Sequence, residues 1–145
     1  MIAVGRYSLT RRVASLILCV TAALKLVSLA AQHSFLQSPD PVLEIPIWVV
    51  LTLAAVTELA VALALILPNC STRVAGTVLL WFTACSVVYR IVHGFTSSEP
   101  CPCLGYLPKV LFWSTQATNV VTVSLLVILG GLGIRLISNA RRVTP

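Results

Sequence analysis

The sequence predicts an all-α integral membrane protein in which four transmembrane helices form one bundle and both termini are cytoplasmic. Three observations lead to this prediction: 58% of the residues are hydrophobic, only 10% are charged, and the apolar residues gather in four long runs. A soluble domain has about 25% charged residues, and a chain of this length buries too little surface to hide so much apolar area from water. The composition therefore excludes a soluble domain, and residues 1–145 are expected to form a single transmembrane domain.

Each apolar run is long enough to cross a hydrocarbon core of about 30 Å at about 1.5 Å per residue. The four helices are expected at approximately residues 12–32, 46–67, 73–93 and 109–137. Prolines lie in all three connections and mark them as turns, because proline interrupts the backbone hydrogen bonding of a helix. Short connections make sequence neighbours antiparallel, so a single four-helix bundle is the simplest architecture.

The first apolar run has a second interpretation. Basic residues, an apolar stretch and then Ser28-Leu29-Ala30 resemble a signal peptide with its small-residue cleavage site. However, the run exceeds the usual apolar region of about 7–15 residues, and Lys25 lies inside it. A membrane helix is therefore favoured, with cleavage as the alternative.

The distribution of charge predicts the orientation. The net charge of +6 is carried at the ends of the apolar runs, without a basic face interleaved with aromatic residues, so nucleic-acid binding is not expected. In a four-span arrangement Asp40, Glu44 and Glu99 fall on one side of the membrane and most arginines on the other. Those arginines are Arg6, Arg11, Arg12, Arg73, Arg135, Arg141 and Arg142. Because basic loops stay in the cytoplasm, we expect a multi-pass protein of the inner (plasma) membrane, with residues 33–46 and 93–109 outside.

The connection before the fourth run carries Cys101 and Cys103, two thiols separated by one proline on the predicted outer face. A disulfide between them closes a small, strained ring, and strained exposed disulfides are the more oxidising ones. Thiol–disulfide exchange, with Cys101 and Cys103 as the catalytic residues, is the leading interpretation. Two alternatives stay open: a structural disulfide, and a zinc or copper(I) site completed by His93 and His33 at the same face.

Three polar residues lie inside the apolar runs: Lys25, Glu58 and Asn119. A charge at the centre of a bilayer costs about 2.5–3.5 kcal/mol, so such residues normally pair or line a cavity. Counting from the helix ends places Lys25 and Glu58 near mid-membrane on neighbouring antiparallel helices, and Asn119 in the outer half. They are expected to form either a structural ion pair with an interhelical hydrogen bond, or a polar pocket for a quinone head group, a proton path or a small substrate.

These features together resemble the methylamine-utilisation protein MauE and the wider DoxX-like group of small four-helix membrane proteins. The resemblance rests on Ala-Leu-Lys-Leu around Lys25, Glu-Leu-Ala from Glu58, Cys-Pro-Cys-Leu-Gly at residues 101–105, and Asn119. The family pattern usually has Phe after the second cysteine, where this chain has Leu104. The resemblance implies support of disulfide formation in exported enzymes of the methylamine dehydrogenase type, beside a periplasmic thioredoxin-like partner.

The leading functional hypothesis is therefore a membrane thiol–disulfide redox or maturation factor, a component of thiol- or quinone-linked oxidoreduction with a quinone as candidate cofactor. The first rival is a non-catalytic scaffold subunit of a redox complex in the lipid bilayer. The second rival is a membrane protein that binds a metal ion through the cysteines and histidines named above.

Overall fold

Four long α-helices dominate the structure, a computed structural model that describes residues 2–30, 34–97 and 114–143. They are α1 (Ile2–Ala30), α2 (Ile47–Ile66), α3 (Thr72–Thr96) and α4 (Thr115–Val143), and a short 3-10 helix precedes α2. The described ranges contain no β-strand. Helix α1 begins earlier and α4 ends later than the apolar runs predict, because helical hydrogen bonds are made within the chain and continue into the polar flanks.

The surface of the helices is that of a membrane protein. Each helix contains a segment long and apolar enough to cross a bilayer: Leu9–Ala30, Ile47–Ile66, Thr72–Thr96 and Gln116–Arg141. Large apolar side chains point outward, among them Leu16 (65% exposed), Trp81 (69%) and Val127 (68%). Such exposure is unfavourable in water but costs little in lipid. The predicted all-α architecture with four membrane-length helices is confirmed, and the chain is a multi-pass membrane protein.

Helices α1 and α2 form a tightly packed antiparallel pair. The Arg11 guanidinium donates to the Leu65 carbonyl at 2.6 Å and to the Leu67 carbonyl at 2.9 Å, and the Ser15 hydroxyl donates to the Ala62 carbonyl at 3.2 Å. The last carbonyls of a helix have no partner within it and carry partial negative charge. Arg11 therefore caps α2 from the neighbouring helix.

Helices α3 and α4 form a second antiparallel pair, joined by glycines. A Cβ atom added at Gly76 would lie 2.8 Å from Ile137 Cγ1, and one added at Gly133 would lie 2.9 Å from Leu80 Cγ. Only glycine allows the two backbones to approach this closely. Small residues at the interface are the usual basis of helix packing in membranes, because apolar burial drives no association there.

The two helix pairs touch each other much less than the helices within each pair do. We call the two ends of the bundle the Arg11 end, with the α2–α3 connection, and the Asp40 end, with the α1–α2 connection. The main core lies towards the Arg11 end and is built by Ala14, Leu18, Val61, Ala62, Leu65, Ala75, Leu79, Leu129 and Leu136. A small second cluster at the Asp40 end consists of Leu36, Ile47 and Leu51. The space between the pairs is therefore least filled in the half of the bundle towards the Asp40 end.

Candidate functional site

Lys25 of α1 and Glu58 of α2 form a buried ion pair. Lys25 Nζ lies 2.7 Å from Glu58 Oε1, and the two side chains are 5% and 8% exposed. The antiparallel packing of α1 and α2 brings the two residues to the same height. The other carboxylate oxygen, Glu58 Oε2, is buried and accepts no hydrogen bond from any described residue.

A cavity of about 310 Å³ lies beside this ion pair, between the two helix pairs. Each helix contributes to its wall, as shown by Lys25, Glu58, Phe82 and Leu126. Most of the lining surface is apolar, and the polar groups in it belong to the ion pair and to a few hydroxyl side chains. Pockets of this volume and composition are typical of sites for small, mainly apolar ligands.

The α1–α2 connection lies at the Asp40 end of the cavity. Asp40 is 1% exposed, and its carboxylate accepts hydrogen bonds from the backbone N–H groups of Val42 and Leu43, both at 2.9 Å. Its second oxygen accepts from the Tyr89 hydroxyl of α3 at 2.5 Å. Leu43 and Tyr89 both line the cavity. The Asp40–Tyr89 hydrogen bond thus ties the first helix pair to the second where the main core does not reach.

The structure does not bring Asn119 to the ion pair. Its side-chain oxygen accepts a hydrogen bond from the Arg90 guanidinium at 2.6 Å, and Asn119 is not part of the cavity wall. Arg90 gains a polar partner near the end of α3, where a long basic side chain reaches the membrane interface. This contact joins α3 to α4 and does not extend the polar pocket.

Of the residues predicted for thiol exchange or metal binding, the structure describes only His93. Cys101, Cys103 and His33 lie outside the described residues. His93 is buried, with its ring centroid 6.0 Å from that of Tyr89. Within residues 2–30, 34–97 and 114–143 no three His, Cys, Asp or Glu residues are grouped to hold a metal ion.

No protein-family model, curated protein or solved structure matches this chain. The site is therefore interpreted from its own residues. A carboxylate and an ammonium in an otherwise apolar wall can orient one polar group of a ligand, while the aliphatic surface holds the rest of it. Charges held in hydrocarbon are more often functional than incidental.

Two site residues were missed from the sequence, Tyr89 and Asp40. In the sequence Tyr89 lies within the third apolar run, and Asp40 stands out only as an acid that indicates orientation. The sequence does contain a signal for Asp40, which lies between Pro39 and Pro41 in a short connection. Aspartate in such turns commonly accepts hydrogen bonds from backbone N–H groups two or three residues further on. No sequence signal identifies Tyr89 as its partner.

Proposed function

We propose that the protein is a membrane thiol–disulfide redox factor that supports disulfide formation in exported proteins, with Cys101 and Cys103 as the exchanging pair. The observation that carries the proposal is the cavity with a buried ion pair in its wall, which offers an electron carrier a place within the bilayer. The resemblance to MauE and DoxX-like proteins supports the same function. It also indicates the client class, enzymes of the methylamine dehydrogenase type.

The exchange balances with a quinone as the electron acceptor. A Cys101–Cys103 disulfide oxidises two client thiols to a disulfide and becomes two thiols. A quinone then takes two electrons and two protons from these thiols, which restores the disulfide and yields a quinol. Ser97, the last described residue before Cys101 in the chain, lies at the Asp40 end of α3, the end at which the cavity lies.

The positions of the charges support a cytoplasmic Arg11 end. Arg11, Arg73 and Arg141 lie towards this end, whereas Asp40 and Glu44 lie at the other. By the positive-inside rule, both termini are then expected in the cytoplasm and the Asp40 end on the outer side of the inner membrane. In that orientation Cys101 and Cys103 meet exported proteins and a thioredoxin-like partner in an oxidising compartment.

Trapping of mixed disulfides tests this function. In cells producing Cys101→Ser or Cys103→Ser, the remaining thiol is expected to accumulate a covalent adduct with an exported thioredoxin-like protein or client, which a reducing agent releases. Cys70→Ser is the matched control, because Cys70 lies at the opposite end of the bundle and leaves the pair intact.

Two results would contradict thiol exchange. Client activity that is unchanged in the Cys101→Ser, Cys103→Ser double variant, with no adduct in either single variant, would indicate a scaffold. Stoichiometric zinc or copper in the purified protein, lost in the double variant, would indicate metal binding. A membrane-impermeant thiol reagent applied to intact cells after reduction tests the orientation, since it should label the pair and not Cys70.

A further inference from the structure

The unpartnered oxygen of Glu58 lies in the wall of a cavity much larger than a water molecule. A buried carboxylate oxygen without a hydrogen-bond donor destabilises the folded protein, so a donor is expected to reach this oxygen in the functional state. One water occupies about 30 Å³, whereas the cavity measures about 310 Å³. Water at Glu58 would therefore leave most of the aliphatic wall without a partner.

No residue in the described ranges donates a hydrogen bond to this oxygen. Five hydroxyl groups line the same cavity, and each already donates its proton elsewhere. The hydroxyls of Thr21, Thr57, Ser86 and Thr122 donate to backbone carbonyls of their own helices. The Tyr89 hydroxyl donates to Asp40. Lys25 reaches Oε1 and leaves Oε2 without a hydrogen bond. Among these hydroxyls the one near Glu58 is that of Thr21, and its hydrogen bond to the Leu18 carbonyl at 3.0 Å leaves Glu58 Oε2 open to a donor from a molecule in the cavity.

We propose that the cavity binds a small molecule with an apolar body and one hydroxyl group, an alcohol or a phenol, and that this hydroxyl donates to Glu58 Oε2. A hydroxyl suits the position because it can also accept a hydrogen bond from the Lys25 ammonium, which has three N–H donors. The apolar body lies against aliphatic side chains such as Leu126 and Leu129. This inference rests only on described residues and does not depend on Cys101 or Cys103.

A pair of probes that differ only in the donor tests the proposal. The purified protein in phosphatidylcholine nanodiscs is titrated with 2-naphthol or with 2-methoxynaphthalene, and empty nanodiscs give the background partitioning of each. Saturable binding of one 2-naphthol per chain is expected, about tenfold tighter than that of the methyl ether, because a hydrogen bond to a charged group contributes this much. The Cys101→Ser, Cys103→Ser variant should show the same preference, which separates this inference from thiol exchange.

Variants locate the binding. Lys25→Met with Glu58→Leu removes the acceptor without leaving a lone charge, and both probes should then bind equally. Ala54→Phe places a phenyl ring in the cavity wall and should abolish the binding of both. Leu59→Phe adds a ring to an outward-facing position of the same helix, where the side chain is 41% exposed, and should change neither.

Four results would overturn the proposal. Equal binding of the two probes by the unmodified protein would show that no donor is required. A hydroxyl preference that survives the removal of Glu58 would place the acceptor elsewhere, and binding unaffected by Ala54→Phe would place the ligand outside the cavity. Partitioning equal to that of empty nanodiscs would show that only lipid or water fills the space.

Discussion

Removing one member of the Lys25–Glu58 pair leaves a lone charge in the interior of the bundle. The pair is almost fully enclosed, with side chains 5% and 8% exposed, and Glu58 Oε2 already lacks a donor. In Lys25→Met the Oε1 atom also loses its donor, so neither carboxylate oxygen accepts a hydrogen bond from a described residue. Breaking a buried pair in this way costs about 3–5 kcal/mol of the free energy of unfolding, whereas replacing both members is close to neutral.

A double-mutant cycle measures this coupling. Lys25→Met and Glu58→Leu are expected to lower the free energy of unfolding by about 3–5 kcal/mol each, and the double variant by much less than their sum. Reversible unfolding by SDS titration in phosphatidylcholine bicelles, followed by tryptophan fluorescence, provides the values. Leu26→Met and Leu59→Met are the matched controls. They replace the adjacent outward-facing side chains with one of similar volume, so the free energy of unfolding should change little.

Additive effects of the two single changes would refute the reasoning, because residues that do not depend on each other show no coupling. The activity of the double variant separates two roles of the pair. If the pair only stabilises the bundle, the double variant folds and supports client oxidation. If it orients a ligand in the cavity, as proposed, the double variant folds but its thiols are no longer reoxidised through the membrane.

Three further predictions concern helix contacts. Gly133→Ala should lower the free energy of unfolding by about 1–3 kcal/mol in the same bicelle assay, because its new Cβ would clash with α3. Gly131→Ala is the control and should have little effect, since its new Cβ meets no atom within 4 Å. Equal effects of the two changes would contradict the close approach of α3 and α4. Arg11→Met should lower the free energy of unfolding by about 1–3 kcal/mol, since it leaves the last carbonyls of α2 uncapped. Arg12→Met, at an exposed position, should change it little, and the reverse order of the two effects would contradict the cap. Tyr89→Phe should speed hydrogen exchange in residues 40–45, because the connection loses its hydrogen bond to α3; unchanged exchange would show that this bond does not hold the connection.

The sequence alone predicts the number of helices and the depth of a residue along its helix, because both depend only on the rise per residue. Four apolar runs gave four helices, and counting residues along two antiparallel helices placed Lys25 and Glu58 at one depth. Depth along the axis follows from the constant rise per residue of an α-helix, so no knowledge of packing is needed to calculate it. The pairing then follows from the cost of leaving either charge alone in hydrocarbon.

The rotation of each helix about its axis could not be obtained in the same way. Asn119 was placed at a plausible depth, but its side chain turns to Arg90 and away from the cavity. Which face of a helix meets its neighbour depends on close contacts, here those of Gly76 and Gly133. Small residues in membrane helices are the sequence signal for such contacts.

The uneven packing between the two helix pairs has a consequence for biogenesis. Each hairpin carries its own internal contacts, the Arg11 cap in the first and the glycine contact in the second, so each can assemble soon after it enters the bilayer. Docking of the two hairpins is then a separate and later step. The cavity exists only after that step, since its wall needs side chains from both. Two fragments divided in the α2–α3 connection and synthesised separately should therefore still find each other and rebuild the ligand site.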